Sequence, residues 1–166
     1  EELGNKRGQF STETSVSEPQ TNASKEPLDV ISEINYEVIL ELSHLKKWIT
    51  KITNSELLAI DTETDSLDYM SAKLIGISMS VKPNSAAYIP LGHDYLGAPE
   101  QLDKEIDLNQ LRPILENPHV KKVGQNIKFD MSVFRQHGVN LCGISFDTML
   151  ESYVINSIAT RHDMDS

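Results

Sequence analysis

Only one cysteine, Cys142, occurs in 166 residues, so no internal disulfide can staple this chain and a reducing cytosol is the expected setting. Cys142 lies in an apolar context and reads as a small core residue. No window approaches 18 apolar residues, which leaves no candidate transmembrane helix and no membrane partner. The first residues lack the basic and apolar regions of a signal peptide, so the Asn22-Ala23-Ser24 sequon carries no weight. Bases are short: 15 Lys and Arg face 25 Asp and Glu, a net charge of −10, which argues against a protein that coats nucleic acid. There is no phosphate-binding Walker loop and no Gly-x-Ser-x-Gly elbow. His44, His93, His119, His137 and His162 are too scattered for a zinc site.

What the chain does have is LLAIDTETDSLD, Leu57 to Asp68. It begins as the apolar run of a buried strand and ends in acids. Asp61 and Glu63 are two apart, so on an extended backbone both carboxylates point to one face. Carboxylates crowded at the end of a buried strand repel each other and lose water. A divalent cation with oxygen ligands relieves both costs. The plainer alternative is an acidic surface turn after a core strand. A calcium loop over the same acids fails, because Ser66 stands where glycine is needed and Ala72 where glutamate is needed.

In chain order, residues 1–28 read as an interdomain linker, rich in Ser, Thr, Glu, Gln and Pro and unable to bury enough apolar surface to offset ordering. The domain is expected over 29–166. Tyr36 to Leu40 is a strand candidate. Ser43 is the expected cap of a helix carrying Leu45, Trp48, Ile49 and Ile52 inward, with Trp48 a core anchor. After the acids, Lys73 to Val81 and Ala86 to Pro90 alternate as strands around a turn at 82–85, giving an antiparallel meander. His93 and Asp94 sit on a long loop, where such a pair is more often structural than catalytic. Asp107 is the expected cap of a helix through Leu115, with Leu108, Leu111, Ile114 and Leu115 inward. Strands are expected at Val120 to Val123 and Leu141 to Phe146, with a helix from Asn126 to Gly138 between them and a last helix capped by Asp147. The fold class is α/β: a mixed sheet, antiparallel first and parallel later, flanked by helices.

Asn126 and Asp130 are four apart and would share a helix face beside Phe129. That spacing alone usually marks a solvated face. Joined to Asp61 and Glu63, it points to two-metal phosphodiester hydrolysis, in which acids hold two divalent ions that activate a water and stabilise the leaving oxygen.

DTETDSLD, GQNIKFD and FDTMLESYVINS together resemble the 3′→5′ proofreading exonuclease domain of bacterial DNA polymerase I, over about Ile34 to Ser166. The resemblance implies a ribonuclease H-like fold. It implies Asp61, Glu63 and Asp130 as catalytic metal ligands for two divalent ions, Mg²⁺ or Mn²⁺. Asp61 would bridge the ions, Glu63 would also orient the attacking water, and Asp130 would serve the leaving-group side. Thr64, Leu67, Gln125, Asn126 and Phe129 would meet a single-stranded DNA 3′ end. Within that set, Gln125 and Asn126 lie near the terminus and Leu67 acts as an apolar wedge, while Phe129, with Met70, supports the pocket by packing. The implied partners in cis are a polymerase domain and an upstream domain, in a bacterial cytoplasm.

The family's third motif, a Tyr and an Asp on a later helix, does not occur here, and Tyr153 does not replace it. The expectation is therefore a C-terminally incomplete domain with weak single-metal binding, little or no hydrolysis and exposed apolar sheet surface. A non-catalytic DNA-docking module of a polymerase and a stand-alone exoribonuclease of the same superfamily are the competing readings.

Overall fold

The computed structural model describes residues 34–158 and 162. The expected linker at 1–28, the first residues of the expected domain and most of the final RHDMDS stretch lie outside the described residues. In chain order the elements are β1 (Asn35–Val38), α1 (Leu42–Thr53), β2 (Leu58–Thr64), β3 (Leu74–Lys82), β4 (Ser85–Pro90), α2 (Lys104–Leu115), β5 (Lys122–Gly124), α3 (Ile127–Gln136), β6 (Ile144–Asp147) and α4 (Thr148–Ile155). The strands form one sheet of order β1-β4-β3-β2-β5-β6. The β2–β3–β4 meander is antiparallel, and β1, β5 and β6 join it in parallel. The mixed sheet is the one that the sequence suggests.

Period-two alternation explains how the sheet is buried. Along β2, Leu58, Ile60 and Thr62 turn inward while Asp61 and Glu63 turn out. Their inward partners across the meander are Met79 opposite Ile60, Ile77 opposite Thr62, and Ile89 opposite Ile77. The core adds Leu45, Trp48 and Ile52 of α1 and Leu108, Leu111, Ile114 and Leu115 of α2, as their helical spacing requires. Trp48 is fully buried, and its Nε1–H donates to the Glu37 carboxylate at 2.9 Å.

Several local expectations give way. Helix α1 starts at Leu42 behind an extended Glu41, so Ser43 is already inside it and donates to Glu41 instead of capping. Helix α2 starts a turn early because Asp103 accepts from the Glu105 and Ile106 amides. That carries Asp107 into the interior, fully buried, with neither carboxylate oxygen hydrogen-bonded among the described residues. Strands β5 and β6 start two and three residues later than the apolar runs suggest, and Cys142 is half-buried beside Asn140 rather than in the core. Asp147 does cap α4, accepting from the Met149 and Leu150 amides. Helix α4 itself buries none of its residues, leaving Val154 and Ile155 exposed.

Candidate active site

The acidic run divides by function. Asp65 and Asp68 build the loop that follows β2. Asp65 accepts from the Lys73 amide at 2.7 Å, and Asp68 accepts from the Met70 amide and the Ser71 hydroxyl. Asp61 and Glu63 stand on the outward face of β2, opposite Ser78 and Gly76 of β3. Burial, and then the neighbouring charge of Glu63, pushes the Asp61 carboxyl above its usual range. Two cavities open along this face. One of about 260 Å³ is lined by Asp61, Ser78, Ser80, Gln125 and Thr148. The other, of about 570 Å³, is lined by Glu63, Ser78, Tyr88 and His93.

Asp130 comes to β2 from α3 and is 2% exposed. Its Oδ1 accepts both the backbone amide of Thr62, at 2.9 Å, and the Thr62 hydroxyl, at 2.6 Å. Burial raises its pKa to about 6; the Asp61 charge adds to the rise and the two Thr62 bonds oppose it. Thr62 faces the core, so this oxygen lies on the inward side of the strand whose outward side carries Asp61 and Glu63. The three acids are thus gathered around residues 61–63 without sharing one face. Among the described residues no three His, Cys, Asp or Glu side chains form a metal-holding group. The donor set is nonetheless all oxygen, and carboxyls held at raised pKa by burial and mutual repulsion suit a hard divalent cation. Asp61 and Glu63 are the two of these acids that share the outward face of β2.

The other expected site residues are spread around this centre. Gln125 and Asn126 lie in the β5–α3 junction. The Gln125 amide donates to the His162 carbonyl at 2.5 Å, and its oxygen accepts from the Thr148 hydroxyl. Asn126 is the N-cap of α3 in the left-handed region, with φ of 53° and no side-chain cap bond. It is exposed while Asp130 is buried, so the shared helix face expected for the two is not formed. Thr64 donates to the Ser66 carbonyl, inside the loop that carries Leu67 at 94% exposure. Phe129 packs partly buried against the core. Met70 departs from expectation: at 72% exposure it stands in solvent and supports no pocket, because Asp68 holds its amide in the surface turn.

Thr62 is the site residue that sequence reasoning missed. Its only sequence signal is a polar residue at an inward position of a buried strand, where it needs a hydrogen-bond partner. Asp147 proves richer than its reading as the cap of one helix. Besides capping α4, it accepts from the Asn126 and Ile127 amides at the start of α3.

A family model described as 3′-5′ exonuclease matches residues 36–166. The DNA polymerase I of Pseudomonas aeruginosa is 47% identical over 137 residues, covering 81% of this chain and 15% of that polymerase. Among solved structures, Brucella melitensis NrnC with bound Mg²⁺ superposes with a TM-score of 0.55 at 20% identity, over 80% of this chain and 58% of the other. Trypanosoma brucei RNase D superposes with a TM-score of 0.57 at 14% identity, over 79% and 49% of the two chains. The structural likeness establishes the fold, the ribonuclease H-like mixed sheet.

Proposed function

Because the chain belongs to the 3′-5′ exonuclease family of bacterial DNA polymerase I, we propose that it serves as the exonuclease domain of such a polymerase and removes 3′-terminal nucleotides from single-stranded DNA. The chain spans 15% of the length of its Pseudomonas relative, so this reading places it beside a polymerase domain and an upstream domain in cis, in a bacterial cytoplasm. The observation that carries the proposal is the placing of Asp61, Glu63 and Asp130 around one strand end, with Asp61 and Asp130 at raised pKa.

In this reading Asp61, Glu63 and Asp130 hold two divalent ions, Mg²⁺ or Mn²⁺. Bound ions supply Lewis acidity, lowering the pKa of water and neutralising charge on the leaving 3′ oxygen. The protein's own part is positional. Asp61 and Glu63 present their oxygens from the end of β2, paired with Ser78 and Gly76 of β3. Asp130, from α3, would complete the set from beside Thr62, whose amide and hydroxyl hold its Oδ1. Glu63, the more exposed of the β2 pair, is the carboxylate open to orient an attacking water. Thr64, the last residue of β2, Leu67 on the loop after it, Gln125 and Asn126 in the β5–α3 junction and Phe129 in the first turn of α3 would receive the strand end.

The turning of Asp130 toward Thr62, and the lack of a three-residue metal group among the described residues, favour a second reading: a non-catalytic module that keeps the fold as a docking platform. A Mn²⁺ titration followed by amide NMR separates the two. Broadening confined to residues around 61–63 and 130, and abolished by Asp61→Ala, supports the exonuclease site. Broadening spread evenly over surface acids supports the platform.

A further inference from the structure

Tyr88 of β4 lies in one cross-sheet row with the site: Asp61 pairs with Ser78, and Ser78 with Tyr88. The adjoining row on the same face runs Glu63, Gly76, Pro90. The Tyr88 ring does not stay in its own row. It leans across Gly76, so that a β-carbon there would come within 1.9 Å of the Tyr88 hydroxyl oxygen. The hydroxyl therefore fills the space that a side chain opposite Glu63 would occupy, a space only glycine leaves open.

Other groups hold the hydroxyl in that space. Tyr88 Oη lies 2.6 Å from His93 Nε2. The His93 backbone is in turn clamped on both sides by one side chain: its amide donates to Gln101 Oε1 at 2.9 Å, and its carbonyl accepts from Gln101 Nε2 at 2.6 Å. The Tyr95 ring meets the edge of the imidazole, with centroids 5.7 Å apart. Glu63, Tyr88 and His93 line the same cavity. Burial, and then the charge of Glu63, raises the Tyr88 pKa, which keeps the phenol protonated beside that carboxylate.

We infer that Tyr88 is a positioning residue for Glu63: bracketed by His93 and laid over Gly76, its hydroxyl blocks the β4 side and confines the Glu63 carboxylate to the side facing Asp61. What Glu63 is positioned to do rests on the exonuclease reading; the confinement itself needs no metal. The loop pair noted in the sequence thus acts through its histidine, whose partner is a tyrosine and not Asp94.

The first test is metal-free. In the wild-type chain, Glu63 side-chain couplings measured by NMR report a single rotamer. In Tyr88→Phe, which loses the bond to His93, and in Gly76→Ala, which expels the ring, they average over several. The phenylalanine variant decides the matter even where the alanine variant fails to fold. The second test is a double-mutant cycle read by Mn²⁺ affinity. Tyr88→Phe alone weakens binding about tenfold, the scale for a group that orients a ligand, and adds no further loss in a Glu63→Gln background. A ring that merely stiffened the fold would cost the same in both backgrounds. Unchanged Glu63 couplings in Tyr88→Phe, or equal losses in the two backgrounds, overturn the inference. Failure of the wild-type chain to bind Mn²⁺ strikes at the exonuclease reading alone and leaves the couplings to decide the positioning.

Discussion

Thr62 gives both of its hydrogens to one oxygen of Asp130, a residue 68 positions later in the chain: the hydroxyl at 2.6 Å and the amide at 2.9 Å. This bond pair ties the end of β2 to α3. It is also the main force holding the buried Asp130 carboxyl near the ionised range against its burial. A Thr62→Val substitution keeps the shape and the backbone bond but removes the hydroxyl donor. Asp130 then becomes harder to ionise, so its pKa moves further up, and the fold loses about 1–2 kcal/mol. Carboxyl ¹³C titration of Asp130 and urea denaturation read the two effects. An Asp130 titration that moves down, or not at all, contradicts this account.

Asp147 joins two helix starts through one carboxylate. It accepts from the amides of Asn126 and Ile127 before α3, and from those of Met149 and Leu150 in α4. Asp103 offers an internal comparison, since it caps α2 alone with two amide bonds. A single cap contributes about 1 kcal/mol. Asp103→Ala should therefore cost about that much and Asp147→Ala about twice as much. Hydrogen exchange locates the loss: Asp147→Ala speeds exchange at both the Ile127 and Met149 amides, whereas Asp103→Ala touches only α2.

Asp107 is a liability of the fold. It is fully buried, neither oxygen has a partner among the described residues, and burial together with the nearby Asp103 charge lifts its pKa to about 6 from 3.8. With the folded pKa above the unfolded one, the folded state binds the proton more tightly. The group's contribution is therefore most favourable below pH 3.8 and declines as pH rises through about 6. Above that range the chain carries a buried, unpaired charge. Asp107→Ala should stabilise the protein at pH 7.5 by roughly 1 kcal/mol or more, and should flatten the fall in stability between pH 4 and pH 6. Thermal melts of both proteins across that range measure it. A variant less stable than wild type at pH 7.5 rules out the liability.

How much of this was legible in the sequence follows from which forces are local. The alternation of LAIDTET placed Asp61 and Glu63 outward and Thr62 inward because strand geometry fixes the faces whatever the partners. Helix interiors were equally readable, as the inward Leu45, Trp48 and Ile52 attest. Helix starts were not. Asp103 and Asp107 are both acceptable caps by residue type; Asp103 takes the role, and Asp107 is left inside the helix, buried beside Leu108 and Leu111. Asn126 also lost its expected face: Asp147, distant in sequence, claims its amide and holds it outside α3. The Thr62–Asp130 bond and the Tyr88 ring over Gly76 depend on pairings across the sheet that no short window contains.

Gly143 is the last position where such a long-range approach can be tested. It precedes β6 with φ of 76°, and its own carbonyl accepts the Lys122 amide, holding β6 to β5. A β-carbon on it would lie 2.4 Å from the Val120 carbonyl oxygen and 2.9 Å from that of Asn117. Those same two carbonyls receive the buried ammonium of Lys122, at 2.9 and 3.2 Å, a cation whose pKa burial lowers to about 8. The carbonyls cannot retreat from an added methyl without abandoning the ammonium. Gly143→Ala therefore pays twice, about 1 kcal/mol for the left-handed backbone and 1–3 kcal/mol for the buried cation it leaves unpaired. The double variant Gly143→Ala with Lys122→Met separates the two contributions, because methionine asks nothing of those carbonyls. Denaturation should show the double variant recovering stability relative to Gly143→Ala alone, and a double variant that loses still more would place the cost in the backbone.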